Sequence, residues 1–161
     1  MTDLDAILQA YQASIDCLNI VGDLLAKSTK GKTFHNTIFF GKSPNEAQEL
    51  LVFSKEEQSD STILSLLSGF EKLIFDHLAT PLPIKASSKE GFSGLNDAIK
   101  QFESQVSTPT YNDVERLCGY RHWVAHGKRW EKPSSADPAN THNCLIEFMR
   151  QASILQIKSL S

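Results

Sequence analysis

Gly119-Tyr120-Arg121-His122-Trp123-Val124-Ala125-His126-Gly127-Lys128-Arg129-Trp130 is the stretch around which the rest of the chain is organised. Its twelve residues hold two histidines, three cations and three aromatics. Val114, Leu117, Tyr120 and Val124 recur at three- and four-residue steps, the spacing of a buried helical stripe. Thr110 or Asn112 is placed to cap that helix. Gly127 falls where a helix end favours a left-handed residue. The stretch reads as the end of a late helix, and its neighbours extend that reading.

Residues 3–27 carry Leu4, Ile7, Leu8, Tyr11, Ile15, Leu18, Val21 and Leu25 in a helical pattern, with Thr2 or Asp3 as its cap. Thr37-Ile38-Phe39-Phe40 is too isolated to promise a sheet and reads as loop. Ser43-Pro44-Asn45-Glu46 is a helix start: serine cap, proline at the first helical position and a glutamate three residues after the serine. The polar run Ser54–Ser61 predicts an interruption. Asp60 or Ser61 restarts the pattern through Ile63, Leu67, Phe70, Ile74 and Leu78, and Pro81 and Pro83 end it. Lys85–Gly94 reads as a surface loop. Leu95, Ile99, Phe102 and Val106 predict a shorter helix. After a connector over residues 129–140, Asn140 or Thr141 starts a final helix running through Ile157. The expected fold is all-α, a bundle of about five helices in one domain, 1–161.

Bulk properties agree with that class. A chain of 161 residues, 40% hydrophobic and 22% charged, is long enough to bury a core without staples. Its longest apolar runs, Ile38–Phe40 and Leu50–Phe53, are far too short to span a bilayer. The acidic start Met1-Thr2-Asp3-Leu4-Asp5 lacks the basic flank of a signal peptide. Cys17, Cys118 and Cys144 are odd in number and far apart, as expected of reduced thiols in a cytoplasmic protein, with Cys17 on a buried face.

A net charge of −3 argues against a general nucleic-acid coat. It leaves room for a local basic site: Arg121, Lys128, Arg129 and Lys132 fall within twelve residues that contain one acid, Glu131. On a helix His122 and His126 share a face. Arg121 lies about 140° around from His126 and about 7.5 Å from it along the axis. One copy therefore does not form a tight Arg–His pair. A two-fold axis at this helix would set two arginines and two histidines around one cleft. Histidine moves protons near neutral pH, and arginine holds phosphate through paired hydrogen bonds.

Arg121-His122-Trp123-Val124-Ala125-His126 resembles the Arg-x4-His motif of the HEPN superfamily. The resemblance implies a helical bundle that dimerises through the motif-bearing helix. It also implies a metal-independent endoribonuclease site at that interface. Arg121 and His126 would be catalytic, with His122 as the polar helper, and Lys128 and Arg129 would bind RNA. Glu71, in Phe70-Glu71-Lys72-Leu73, resembles the acid that some of these domains place near the arginine. No cofactor or metal is implied. The partners implied are an RNA substrate, a second copy and an antitoxin or regulatory protein in a toxin–antitoxin or phage-defence setting. Some such toxins carry a tyrosine two residues after the histidine, as an acceptor for adenylylation; Lys128 stands there instead.

Plainer readings compete. His126 before Gly127 serves equally as a helix-end histidine bonded to terminal carbonyls. Trp123 and Trp130 read as packing anchors, Lys128 and Arg129 as a solvated turn. Cys118, His122 and His126 form one stripe with zinc-compatible chemistry, and His142 or Cys144 could add a ligand. Two helical turns, however, spread the stripe over about 12 Å, too long for one ion. His35, His77 and His142 read as structural or surface residues. A catalytically silent HEPN-like module that binds RNA, a nucleotide or a protein is the alternative function.

Overall fold

The chain is described by a computed structural model that covers residues 2–27, 34–79, 94–128, 131, 133 and 136–155. Five helices and no strand occur among the described residues: α1 (Asp3–Lys27), α2 (Pro44–Ala79), α3 (Leu95–Lys100), α4 (Thr108–Ala125) and α5 (Pro138–Gln151). The all-α expectation holds. Pro81, Pro83 and most of the 85–94 loop lie outside the described residues.

Local chemistry sets the helix starts. The Thr2 amide donates to Asp5 Oδ2 at 2.6 Å while the Asp5 amide donates to Thr2 Oγ1 at 3.2 Å, a reciprocal cap on α1. The Ser43–Glu46 box forms as its spacing foretells, with Ser43 N to Glu46 Oε2 at 2.8 Å and Glu46 N to Ser43 Oγ at 3.3 Å. Two other starts fall earlier than expected. α4 begins at Thr108 with Pro109 in its first turn, and α5 begins at Pro138, where Asp137 accepts from the amides of Ala139 and Asn140. Two ends also move: the α-helix of α3 stops at Lys100 and continues as turns, and α5 stops at Gln151.

The expected break in α2 does not occur. Its 36 residues run unbroken through the polar segment. Ser54 and Thr62 turn their hydroxyls back to the carbonyls of Leu50 and Gln58, at 2.8 and 2.7 Å, so these side chains need no break in the helix. Asp60, buried in the same segment, finds partners on α4.

α1 and α2 form an antiparallel hairpin, with Gly22 against Leu51 and Leu4 against Gly69. A Cβ on Gly69 would sit 2.8 Å from Leu4 Cδ2, so the absence of a side chain lets Leu4 seat. The main core gathers below this point. Leu4, Ile63, Leu67, Phe70 and Ile74 meet Leu95, Ile99, Val114, Leu145 and Phe148 there. Phe148 anchors the cluster, its ring edge-on to Phe70 at 5.4 Å and to Phe102 at 6.0 Å. At about 1.5 Å per residue α2 is about 54 Å long and α4 about 27 Å, so the hairpin outruns the rest of the bundle.

Candidate functional site

The end of α4 is fixed by a cap and by three polar ties to α2. Lys128 N reaches the Trp123 carbonyl and Gly127 N the Val124 carbonyl, both at 3.0 Å, which is the Schellman pattern. Gly127 has φ 74° and Lys128 φ 57°. The left-handed region suits glycine and strains lysine. What holds Lys128 there is its ammonium, which lies 2.7 Å from Asp60 Oδ2 and also bonds Glu57 Oε1. The Asp60 and Glu57 carboxylates hold that ammonium above its ordinary pKa. The Tyr120 hydroxyl donates to the other oxygen of Asp60 at 2.6 Å, and burial together with that carboxylate pushes the phenol's pKa upward. One buried acid on α2 thus braces both the middle and the end of α4.

Arg121, about 100° further round α4 than Tyr120, pairs with Glu71, Nη2 to Oε2 at 2.9 Å. Adjacent residues of α4 therefore grip α2 at Asp60 and Glu71, about 16 Å apart by helical rise. The guanidinium lines a cavity of about 290 Å³ together with His122, Cys118, Ala125 and Leu95. His126 is not among the lining residues. Its ring instead lies against that of His122, with centroids 4.1 Å apart, and both histidines are exposed. The site therefore brings together Arg121, Glu71 and His122, with His126 backing His122. Lys128 faces two carboxylates, and Arg129 and Trp130 lie outside the described residues.

The other expected residues fall as follows. Trp123 is a packing anchor, 6% exposed and against Tyr120. Cys118 is buried, and burial pushes its thiol up to about 12, so it is a neutral thiol rather than a nucleophilic thiolate at neutral pH. Among the described residues no group of three or more His, Cys, Asp or Glu side chains could hold a metal ion. His142 bonds Asp5 at 2.9 Å, a tie between α5 and α1, and His77 stacks obliquely near Phe102. Cys17 is exposed, contrary to the buried face expected of a free cysteine. It lies on the outer side of α1, away from α2.

No family model matches the chain, and neither a curated protein nor a solved structure matches it. The exposed residues Asn112, Glu115, Gly119, His122 and His126 succeed one another at three- and four-residue steps down α4, with exposed Arg116 beside them. Nothing lies within 4 Å of where a Cβ on Gly119 would point, so the middle of this face is low and open. No helix among the described residues is long and apolar enough to cross a membrane. The brace residues Glu57 and Asp60 were missed from sequence. The signal was present: Asp60 occupies a position of the apolar stripe that continues through Ile63, Leu67, Phe70 and Ile74. An acid in such a stripe implies a buried partner.

Proposed function

We propose that the chain is a metal-independent endoribonuclease of HEPN type, active as a dimer formed across the outer face of α4. The observation that carries this reading is the exposed His122–His126 pair beside an arginine held in place by Glu71. Within one chain Arg121 and His126 leave α4 on different sides. A second copy crossing near Gly119 and His122 would set one chain's arginine against the other's histidines. Glu115 and Arg116, opposite in sign on that face, suit a self-complementary contact.

In the reaction proposed, one neutral imidazole takes the proton of the ribose 2′-hydroxyl as its oxygen forms a bond to phosphorus. The P–O5′ bond breaks, and a protonated imidazole gives its proton to the leaving 5′-oxygen. The products are a 2′,3′-cyclic phosphate and a 5′-hydroxyl, and no water is consumed. Arg121 bears the charge that builds on the phosphate oxygens. The setting proposed is a cytoplasmic toxin–antitoxin or phage-defence system, with an antitoxin or regulatory partner.

A catalytically silent module binding RNA, a nucleotide or a protein is the second reading. The carboxylate partners of Arg121 and Lys128, which lower the local positive field, favour it. RNA digestion in EDTA separates the two. Wild type is expected to leave cyclic phosphate ends. His126→Ala and Arg121→Ala should each lose cleavage by about 10²–10⁴-fold with helix content intact. Gly119→Arg, which touches no reacting group, should lose it as well by blocking the second copy. Cleavage surviving His126→Ala overturns the assignment, and no cleavage by any protein leaves the binding module.

A further inference from the structure

The large apolar side chains most exposed on the described surface are Ile20, Leu24, Ile38, Phe40, Val52 and Phe53, and all lie on the distal half of the α1–α2 hairpin. On α1 they belong to a pattern. Ala13, Cys17, Ile20, Leu24 and Lys27 are all exposed and follow one another at steps of four, three, four and three. That is the spacing of a coiled-coil seam. It runs along the side of α1 away from α2, which α1 meets at Gly22. Because Gly22 lies against Leu51 and Lys55 bonds Asn19 at 2.7 Å, Phe53 stands level with Ile20. Ile20, at 60% exposure, and Phe53, at 58%, therefore belong to one belt around the hairpin.

We infer that this seam is an interface between two copies of the chain, α1 packed antiparallel on α1 about a two-fold axis near residue 22. The charges choose the occupant and its direction. In the antiparallel register Ile20 packs on Leu24 of the second copy, and Lys27 at one end of the seam meets Asp16 of the second copy at the other. A parallel pair would set Lys27 against Lys27 and Asp16 against Asp16. Two such contacts occur per dimer, one at each end of the apolar centre. The seam is separate from the outer face of α4 and does not rest on the ribonuclease reading.

Sedimentation velocity of the full chain tests the inference in a Gly119→Arg background, which closes the α4 face. That protein is expected to remain a dimer, and adding Leu24→Glu at this 46%-exposed position should make it a monomer with unchanged helix content. Lys27→Glu should weaken the dimer about tenfold, two lost surface pairs being worth about 1.4 kcal/mol together. Asp16→Lys added to Lys27→Glu should restore it. A short thiol–amine crosslinker gives a second readout. Cys17 and Lys27 are about 15 Å apart along one helix but adjacent across the proposed interface. In a mixture of ¹⁴N and ¹⁵N chains, Cys17–Lys27 links joining light to heavy chains are expected. A monomeric Gly119→Arg protein, a dimer indifferent to Leu24→Glu, or links confined within chains overturns the inference and gives the seam to another occupant.

Discussion

From Asp60 to Ile74 one face of α2 is sealed by α3, α4 and α5, whereas from Pro44 to Glu56 the same helix is accompanied mainly by α1. The lower half holds the continuous core. In the upper half the buried apolar residues are Ala47 and Leu51, while Val52 and Phe53 face outward. The helix is equally regular in both halves, so backbone hydrogen bonding does not distinguish them. Side-chain burial does, and it decides which half carries the stability of the fold and which is left to meet a partner.

The comparison is most directly broken by two phenylalanines on the same helix. Phe70 is fully buried and Phe53 is 58% exposed. Phe70→Ala is expected to cost about 3–5 kcal/mol in urea unfolding, from lost transfer energy and the cavity left beside Phe148. Phe53→Ala should stay within about 0.5 kcal/mol for a chain kept monomeric by Gly119→Arg and Leu24→Glu together. Equal costs would mean that the hairpin's distal half is sealed in solution by something other than a second copy.

Lys128 marks the border between the halves, since its ammonium ties the end of α4 to Glu57 and Asp60. Its left-handed backbone works against that tie. Replacing it separates the two effects. Lys128→Ala loses the ion pairs and keeps the strain; Lys128→Gly loses the pairs and relieves it. The glycine variant is expected to be more stable than the alanine variant by about 1 kcal/mol in thermal unfolding. An alanine variant as stable as the glycine variant would show that the helix end rearranges once the carboxylates let go.

The legible part of the fold was what short-range chemistry dictates. The Ser43–Glu46 box, the glycine at the end of α4 and the apolar stripes all follow from residues within a few positions of one another. The starts of α4 and α5 fall several residues before the expected Thr and Asn caps because Pro109 and Pro138 each occupy a first turn, where a fixed φ suits the helix. The polar run in α2 misled for a different reason. Polarity there predicts local breakage, whereas Asp60 is matched by Tyr120 and Lys128, sixty and more residues away. At the site, Arg121 and Glu71 could be paired in advance only through a resemblance; no local rule joins residues fifty positions apart. The outer seam on α1 went unread because the inner stripe, Ile15, Leu18, Val21 and Leu25, already accounted for an amphipathic helix.

The smallest expected effect compares the two capping boxes by pH. Asp5 lies at the lower end of α1, where its carboxylate accepts from the Thr2 amide and bonds His142 on α5. The Thr2 N–H first, and then His142, hold its pKa below the usual carboxylate value. A group whose folded pKa is depressed contributes stability that is present above its unfolded pKa and lost as pH falls through the folded one. Wild type should therefore exceed Asp5→Asn by a few tenths to about 1 kcal/mol, the range of a helix cap, from about pH 5 upward. The two unfolding curves should converge as pH drops below about 3.8, the ordinary value for this group. Glu46 at the start of α2 is depressed in the same sense by the Ser43 amide, but it is fully exposed and caps the half that packs mainly on α1. Glu46→Gln should leave global unfolding unchanged at every pH and speed amide exchange only in the first turn of α2. A global effect of Glu46→Gln as large as that of Asp5→Asn would mean that the hairpin and the bundle unfold as one unit, and that the distal half is stabilised as strongly as the core.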